Sequence, residues 1–283
     1  MIEQVTSGME ARNHRFRMRH SAMIQRELED AAQPTVKMAE TPEEIEEALS
    51  LVYREYVRLG YISEGHGAKI YATIYHLLPQ TSILLCTVQE QIIGTLTQIF
   101  DSRIFGLPSD CLYYDELQKL RKSGRKVIEI SALATLSGRP KQNAFVYLFR
   151  AVYEYTKLWN VDDLCIMVNP KHVAFYKAVL LFEQLGPEKY YPRVGAPAVA
   201  LRLNLDHIEE RLKENYCDLG GENENWYSFL CLRARGAVAA SWSVGDQILD
   251  ENTVRHLFLE QTRVFEEAPP EQQNYIRAIY PGL

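Results

Sequence analysis

The chain has few of the features that mark membrane or secreted proteins. Its 283 residues contain no apolar run approaching the roughly 18 residues that a membrane-spanning helix needs. The N-terminus, MIEQVTSGMEARNHRFRMRH, lacks the apolar core of a signal peptide. We therefore expect a cytoplasmic protein.

Cysteine is scarce, and its spacing excludes two further classes. The five cysteines are odd in number and none forms a CxxC pair, so neither a disulfide framework nor a zinc knuckle is indicated. We expect no metal site. Cys86 and Cys165 lie in apolar stretches typical of strands, where a cysteine is usually a small core residue rather than a nucleophile.

Positive charge is also in short supply. The formal net charge is -6, without the dense basic footprint of a nucleic-acid binder, so no nucleic-acid partner is expected. Residues 1–34 are the exception and are predicted to form a basic N-terminal arm. We interpret it as a solvated segment; the alternative is a docking surface for an acidic partner or an anionic membrane lipid. Its basic residues include Arg12, Arg15, Arg17, Arg19 and Arg26.

What the sequence does contain is a regular succession of strand and helix patterns from residue 35 to residue 205, followed by a mostly helical pattern over 206–283. The predicted order is β α β β α β α β α β β. Strands are predicted at 35–39, 82–89, 92–101, 127–135, 163–168, 183–191 and 197–205, with a hairpin turn at Glu90–Gln91. Helices are predicted at 42–59, 115–123, 141–159 and 171–181.

The strand at 127–135 carries an acid and a hydroxyl. Strict alternation would place one set of side chains on an all-apolar face: Ile128, Ile130, Ala132 and Ala134. The opposite face would hold Val127, Glu129, Ser131, Leu133 and Thr135. Burying Glu129 without a partner would cost several kcal/mol, so this face is predicted to border a crevice. The alternative is that Glu129 pairs with a basic residue at a strand end.

Several short motifs then point to a family. They are Val52-Tyr53-Arg54-Glu55-Tyr56, Asp115-Glu116-Leu117 with Leu120-Arg121, Glu129-Ile130-Ser131-Ala132-Leu133-Ala134, Asn169-Pro170 and Phe175-Tyr176-Lys177. With these motifs in this element order, the chain resembles the GCN5-related N-acyltransferase (GNAT) fold. Within that fold it looks like the long-chain N-acyl amino acid synthases of the FeeM type, themselves similar to acyl-homoserine-lactone synthases.

The resemblance covers about residues 36–205 and implies an architecture. We expect an α/β protein with a GNAT-like mixed central sheet flanked by helices. Its acyltransferase domain would span 35–205, between the basic arm of 1–34 and a helical C-terminal extension of 206–283.

The resemblance also implies a reaction. Such enzymes move an acyl group from a phosphopantetheine thioester to an amine, and the phosphopantetheine arm enters where two central parallel strands splay apart. Unpaired backbone groups there can bind the pantetheine amides, and a strand N–H can stabilise the thioester oxyanion. No cofactor would be bound permanently. The implied donor-binding residues are Leu133, Ala134, Thr135, Arg139, Lys141, Asn143 and Asn169.

The nature of the donor depends on the segment Leu136–Ala144. Acetyl-CoA enzymes have a glycine-rich loop here, whose backbone amides grip the CoA pyrophosphate at a helix N-terminus. This chain has one early glycine, and Pro140 offers no amide donor. We therefore favour acyl carrier protein over acyl-CoA as the donor, with Arg139 and Lys141 nearby. The alternative is that these two residues are simply solvated side chains where the helix begins.

Three residues are catalytic candidates by this resemblance. Glu129 is predicted to be the base, or to anchor it, because an amine must lose a proton before it attacks a thioester. Ser131 would orient the acceptor or a bridging water. Tyr176 would protonate the departing thiolate; its alternative role is that of a core tyrosine.

The first helix and the following loop would frame the acceptor. Arg54 is a candidate to grip an amino acid carboxylate, beside Tyr56, and the competing interpretation is a surface arginine paired with Glu55 or Glu47. His66 and His76, in the loop after this helix, are further candidates, although a lone loop histidine is more often exposed and without a function. Leu117 and Phe149 are predicted to line an acyl tunnel, with plain core packing as the alternative.

The sequence therefore predicts an N-acyltransferase that moves a fatty acyl group from acyl carrier protein to an amino acid or related small amine. The alternatives are acyl-CoA-dependent acylation of another amine, and a non-catalytic sensor that binds an acyl carrier or lipid. Aromatic residues of the C-terminal region would cover the tunnel or form a dimer face, so a homo-oligomer is left open: Trp226, Tyr227, Phe229 and Trp242.

Overall fold

The computed structural model describes residues 10–21, 24, 34–65, 69–137, 143–217, 225–232 and 248–283. Within these ranges the strands are β1 Thr35–Met38, β2 Ser82–Val88, β3 Gln91–Phe100, β4 Val127–Thr135, β5 Asp163–Val168, β6 Glu183–Gln184, β7 Lys189–Tyr191 and β8 Ala196–Asn204. The helices are α1 (residues 10–21), α2 Pro42–Arg58, α3 Asp110–Lys122, α4 Ala144–Leu158, α5 Pro170–Val179, α6 Ile208–Tyr216, α7 Glu251–Val254 and α8 Pro270–Ile279.

The predicted α/β class with a mixed sheet is confirmed. The strand order is β1-β2-β3-β4-β5-β8-β6, and β7 adds to β8. Only the β4–β5 pair is parallel among the paired strands that the structure describes. It is the pair with a helical crossover, α4, between its strands, as parallel pairing requires.

Helices cover both faces of the sheet. On one face, α4 and α6 pack with residues 226–230 into a core that includes Leu148, Leu212 and Trp226. On the other, α2 packs together with the chain from Val254 to Tyr280. The described parts of the C-terminal region therefore contribute side chains to both cores.

Most predicted elements are present, with corrected boundaries. The helix predicted at 115–123 begins at Asp110, and Tyr113 interrupts it with non-helical dihedral angles. The strand predicted at 183–191 is two short strands, β6 and β7, because Gly186-Pro187 lies between them and proline cannot donate a ladder hydrogen bond.

The hairpin turn between β2 and β3 falls one residue earlier than predicted. Gln89 and Glu90 form it, both with positive φ, at 49° and 64°. Positive φ at both central residues is the backbone geometry that suits the right-handed twist of a two-residue hairpin.

The strict alternation predicted for β4 is wrong beyond Ser131. Ala132 has a φ of 51°, and the pairing with β3 shifts register between Thr95 and Thr97. This irregularity changes which face the following side chains occupy. Ala132 and Ala134 accordingly join the core on the α2 face, whereas Ile128 and Ile130 join the core on the α4 face and Leu133 packs against it.

β4 and β5 pair for only part of their length. The parallel register runs from Val127 opposite Asp163 to Ile130 opposite Ile166 and then ends. β4 continues to Thr135 and β5 to Val168, so the two strands extend beyond their last paired residues. A gap therefore opens between two neighbouring strands of the sheet.

Candidate active site

The gap between β4 and β5 forms part of a cleft of about 620 Å³. Its walls come from α2, both splayed strands, the start of α4 and α5, and the chain around the β7–β8 turn. The predicted residues that line it are Tyr56, Glu129, Ser131, Leu133, Ala134, Thr135, Asn143, Asn169 and Tyr176. The structure thus brings together candidates that lie up to 120 positions apart, from Tyr56 to Tyr176.

Glu129 lies in the wall of this cleft and is 1% exposed. Its Oε2 accepts hydrogen bonds from the backbone N–H and the hydroxyl of Ser109, at 3.0 and 2.6 Å. Burial raises the pKa of Glu129 to about 7, against the opposing effect of these two hydrogen bonds. Its neighbours Asp110 and Asp101 add to the rise. A carboxyl group with this pKa can exchange a proton near neutral pH.

Ser109 immediately precedes α3, so Glu129 faces the first turn of this helix, before the interruption at Tyr113. Backbone N–H groups at a helix start favour a negative charge. Sequence reasoning missed Ser109 as the partner of Glu129. The signal was the Pro-Ser-Asp sequence at 108–110, which is typical of a helix start.

Ser131 is half-buried in the same wall, two residues beyond Glu129. It is the last residue of β4 before the register shift and pairs with Thr97 of β3. The backbone of Leu133, Ala134 and Thr135 follows where β5 no longer pairs with β4. This edge can accept an extended, amide-bearing ligand in the manner of an added strand.

Two asparagines stand at helix starts on the β5 side of the cleft. Asn143 precedes α4, and Asn169 precedes α5, where its side chain accepts a hydrogen bond from the N–H of Lys171 at 3.2 Å. His20 of α1 also lines the cleft, and its ring lies 5.0 Å from that of Phe175 on α5.

Tyr176 of α5 is 8% exposed and lines the cleft. Burial raises the pKa of its phenol, so the hydroxyl remains protonated at neutral pH. The ring packs edge-on against Phe145 and Phe182, at 6.0 and 5.4 Å between centroids. Tyr176 is therefore both a core residue and a potential hydrogen-bond donor to the cleft.

The α2 side of the cleft differs from the prediction. Arg54 is exposed and is not among the residues that line the cleft. The lining residues one and four positions further on, Glu55 and Arg58, form an ion pair at 2.7 Å. Burial acts to raise the pKa of Glu55, but hydrogen bonds from Arg58 and from Ser137 after β4 outweigh it and lower the pKa.

Aromatic side chains surround this end of the cleft. Tyr56 contacts Tyr71 and Tyr61, with ring centroids 4.8 and 5.6 Å apart. Tyr191, the last residue of β7, also lines the cleft. Sequence reasoning selected Tyr56 alone, because Tyr71 and Tyr191 belong to a loop and to a short edge strand.

The two residues predicted to line an acyl tunnel do not line the cleft. Leu117 packs with Ile99 and Val127 in a small core beneath α3. Phe149 is a core residue of α4 and packs against Phe182 and Trp226. Their apolar spacing reflected core packing; the cleft-lining aromatic of α4 is Phe145, one turn earlier.

Other predictions fall elsewhere. His66, Arg139, Lys141 and Trp242 lie outside the described residues. His76 is buried, with its pKa lowered to about 4 by burial, and its Nδ1 accepts a hydrogen bond from the N–H of Thr73 at 3.0 Å.

Among the described residues, no group of three or more His, Cys, Asp or Glu side chains is placed to hold a metal ion. No helix in the described ranges is both long and apolar enough to span a bilayer.

Comparison with known proteins agrees with this geometry. The family model "N-acyl amino acid synthase FeeM" matches residues 47–204, more than half of the chain. The structure of FeeM, an N-acyl amino acid synthase from uncultured soil microbes, is 28% identical and has a TM-score of 0.58. The similarity covers 66% of this chain and 98% of that one.

Other solved structures are more distantly similar to this chain. The acyl-homoserine-lactone synthase LasI is 17% identical, with a TM-score of 0.48, covering 62% of this chain and 91% of its own. The CoA-dependent acyl-homoserine lactone synthase BjaI is 12% identical, also with a TM-score of 0.48, covering 69% and 92%. No curated protein matches the chain.

The family match, together with the fold and the cleft, identifies an N-acyltransferase. More narrowly, the chain belongs to the FeeM family of N-acyl amino acid synthases. The predicted family is thereby confirmed, and the alternative of a non-catalytic sensor is not retained.

Proposed function

We propose that this N-acyltransferase moves a fatty acyl group from a phosphopantetheine thioester to the amine of an amino acid or a related small amine. The observation that carries the proposal is the cleft at the β4–β5 gap, with the carboxyl group of Glu129 in its wall and a pKa of about 7. A slender amide-bearing arm fits the unpaired strand edge on one side. The acceptor would enter from the side of α2.

In this proposal the amine nitrogen attacks the thioester carbonyl carbon, a C–N bond forms and the C–S bond breaks. The amine must give up a proton, and Glu129 accepts it directly or through a water held by Ser131. The departing sulfur takes up a proton. The products are an amide and the free phosphopantetheine thiol.

Tyr176 would act on the sulfur. Because burial keeps its phenol protonated, Tyr176 can donate a hydrogen bond to the sulfur as negative charge develops there. Its position on α5, in the wall of the cleft, supports this role. The backbone beyond Ser131 would hold the pantetheine amides, and Asn143 and Asn169 stand at the same edge.

We infer that the donor is acyl carrier protein. The segment before α4 has one glycine and a proline, which makes a poor pyrophosphate cradle. Helix α1 runs beside the cleft through His20 and exposes three arginines, which complement an acidic carrier: Arg12, Arg15 and Arg19. Acyl-CoA is the second candidate donor; membrane contact through this arm and homo-oligomerisation stay predictions.

The experiment combines purified protein with a mixture of the twenty common amino acids and one donor at a time. The donors are an acyl carrier protein and CoA loaded with the same long acyl chain. Mass spectrometry of the products should reveal N-acyl amino acids, formed faster from the carrier protein. A marked preference for CoA would overturn the donor assignment, and no N-acylated product from either donor would overturn the proposed function.

A further inference from the structure

Arg193 occupies a position at the acceptor end of the cleft that sequence reasoning did not single out. It lies in the single turn Pro192–Val194 between β7 and β8, which ends at Gly195 in the left-handed region with a φ of 57°. Tyr191, two residues before it, and Val194, directly after it, line the cleft. The turn therefore presents a cation at the rim of the cleft.

The contacts of Arg193 hold its side chain without neutralising it. Its Nη2 donates a hydrogen bond to the carbonyl oxygen of Ala72 at 3.3 Å, and its guanidinium carbon lies 5.6 Å from the ring centroid of Tyr71. Within the described part of the chain, no carboxylate forms an ion pair with Arg193. The residue is exposed, so its remaining N–H donors can reach a ligand.

The arginine that lines the cleft itself, Arg58, is already occupied. Arg58 pairs with Glu55 through its Nε and Nη2, at 2.8 and 2.7 Å. Glu55 in turn accepts a hydrogen bond from the hydroxyl of Ser137 at 2.8 Å. A ligand carboxylate at Arg58 would have to displace this internal carboxylate, whereas at Arg193 it would meet a cation held on an aromatic ring.

Arg193 and Glu129 also have neighbours in common. Both charges act on the hydroxyl of Tyr191 and the thiol of Cys111. Burial raises the pKa of each of these groups, Glu129 raises it further, and Arg193 opposes the rise. Glu129 and Tyr191 both line the cleft, and Arg193 follows Tyr191 by two residues. A cation and a carboxyl group therefore border the same cleft, as a ligand with an amine next to a carboxylate requires.

We propose that Arg193 binds the α-carboxylate of the amino acid acceptor and so directs its amine towards Glu129. This inference rests on the proposed function and adds to it a specificity-determining residue. It selects acceptors that carry an α-carboxylate over the corresponding simple amines. A planar guanidinium suits this task because it can bind both carboxylate oxygens at once.

The test compares an amino acid with the amine that lacks its carboxylate. The probes are phenylalanine with phenethylamine, and tyrosine with tyramine, together with the acyl donor that wild-type protein prefers. Wild-type protein should use the amino acid at least 10-fold better in kcat/KM. The Arg193→Gln variant should lose about 10- to 100-fold for the amino acid, mainly through a higher KM, while its rate with the amine changes less than twofold. Arg193→Lys should fall between the two.

Arg103→Gln is the matched control, since Arg103 is exposed and lines a separate cavity. It should leave the preference intact, and the three variants should unfold at the same temperature as the wild type. An equal loss for amino acid and amine in Arg193→Gln would overturn the inference. A higher KM for the donor with an unchanged acceptor preference would place the donor's phosphate at Arg193 and overturn it as well.

The wild-type rates separate this inference from the proposed function. If the wild type acylates phenethylamine and phenylalanine equally well, the role of Arg193 fails while N-acylation stands. If it acylates neither amino acids nor amines, the proposed function itself fails.

Discussion

The backbone N–H and the hydroxyl of Ser109 donate to one carboxylate oxygen of Glu129, at 3.0 and 2.6 Å. Two donors favour the ionised carboxylate, whereas burial at 1% exposure favours the neutral acid. Burial prevails, and the pKa of Glu129 rises to about 7. The pair therefore provides a carboxyl group that titrates near neutral pH, which suits a base that must both take up and release a proton.

Replacing Glu129 by Gln should lower kcat by about 10²- to 10⁴-fold, because the amide cannot accept the proton of the amine. The amide oxygen can still accept the hydrogen bonds of Ser109, so the fold should persist. Initial rates and a thermal unfolding curve check this. Glu47→Gln, an exposed position on α2, is the control and should behave as the wild type. Full activity in Glu129→Gln would remove this residue from the mechanism.

The pH dependence follows from the direction of the same pKa shift. Activity should rise with pH through about 7 as Glu129 ionises. Stability should change in the opposite sense. The folded-state pKa lies above the ordinary value of 4.5, so the contribution of Glu129 to stability is complete below pH 4.5 and is lost as the pH rises through about 7.

Ser109→Ala tests the cause of that balance. Removing the hydroxyl removes one of the two donors that stabilise the carboxylate, so the pKa of Glu129 should rise further and the acidic limb of the kcat/KM profile should move to higher pH. Profiles of both proteins, recorded at saturating donor, are the measurement. Ser123→Ala, which removes an exposed hydroxyl at the far end of α3, should leave the limb in place. A limb that stays in place in Ser109→Ala would mean that another group titrates.

Much of the fold could be predicted because strand and helix periods are local properties. The parts that could not be predicted depend on contacts between distant segments. Ser109 and Glu129 are 20 positions apart, and the register shift at Ala132 occurs at a residue whose type carries no signal for positive φ. Arg54 is a candidate from the sequence because its helix has a recognisable pattern, whereas the single turn that holds Arg193 between β7 and β8 has none.

Tyr176→Phe separates the two roles of this tyrosine. The ring would keep its packing against Phe145 and Phe182, so the unfolding temperature should change little. Loss of the hydroxyl should lower kcat by about 10-fold or more, the effect of one hydrogen bond to a developing charge. Single-turnover rates with a poor thiol leaving group should suffer more than those with a good one. Equal rates in wild-type and variant protein would leave Tyr176 a core residue only.

Gly94 of β3 sets how closely α4 approaches the sheet. A Cβ at this position would lie 2.6 Å from the Cβ of Ala144, the first residue of α4, and 3.3 Å from Cδ1 of Leu148. Gly94→Ala should therefore push the start of α4 away from the sheet. The expected cost is about 1–3 kcal/mol in the free energy of unfolding. Because Asn143 and Phe145 line the cleft beside this contact, the KM for the donor should also rise.

The double variant Gly94→Ala with Ala144→Gly restores the space by removing the opposing methyl group. Ala144→Gly alone should cost up to about 1 kcal/mol, the helix penalty of glycine. The double variant should then be more stable than the sum of the single changes predicts, and the donor KM should return towards the wild-type value. Denaturant unfolding of the four proteins measures the coupling. Strict additivity would mean that the start of α4 can move without disturbing the cleft, and that the donor site does not depend on this contact.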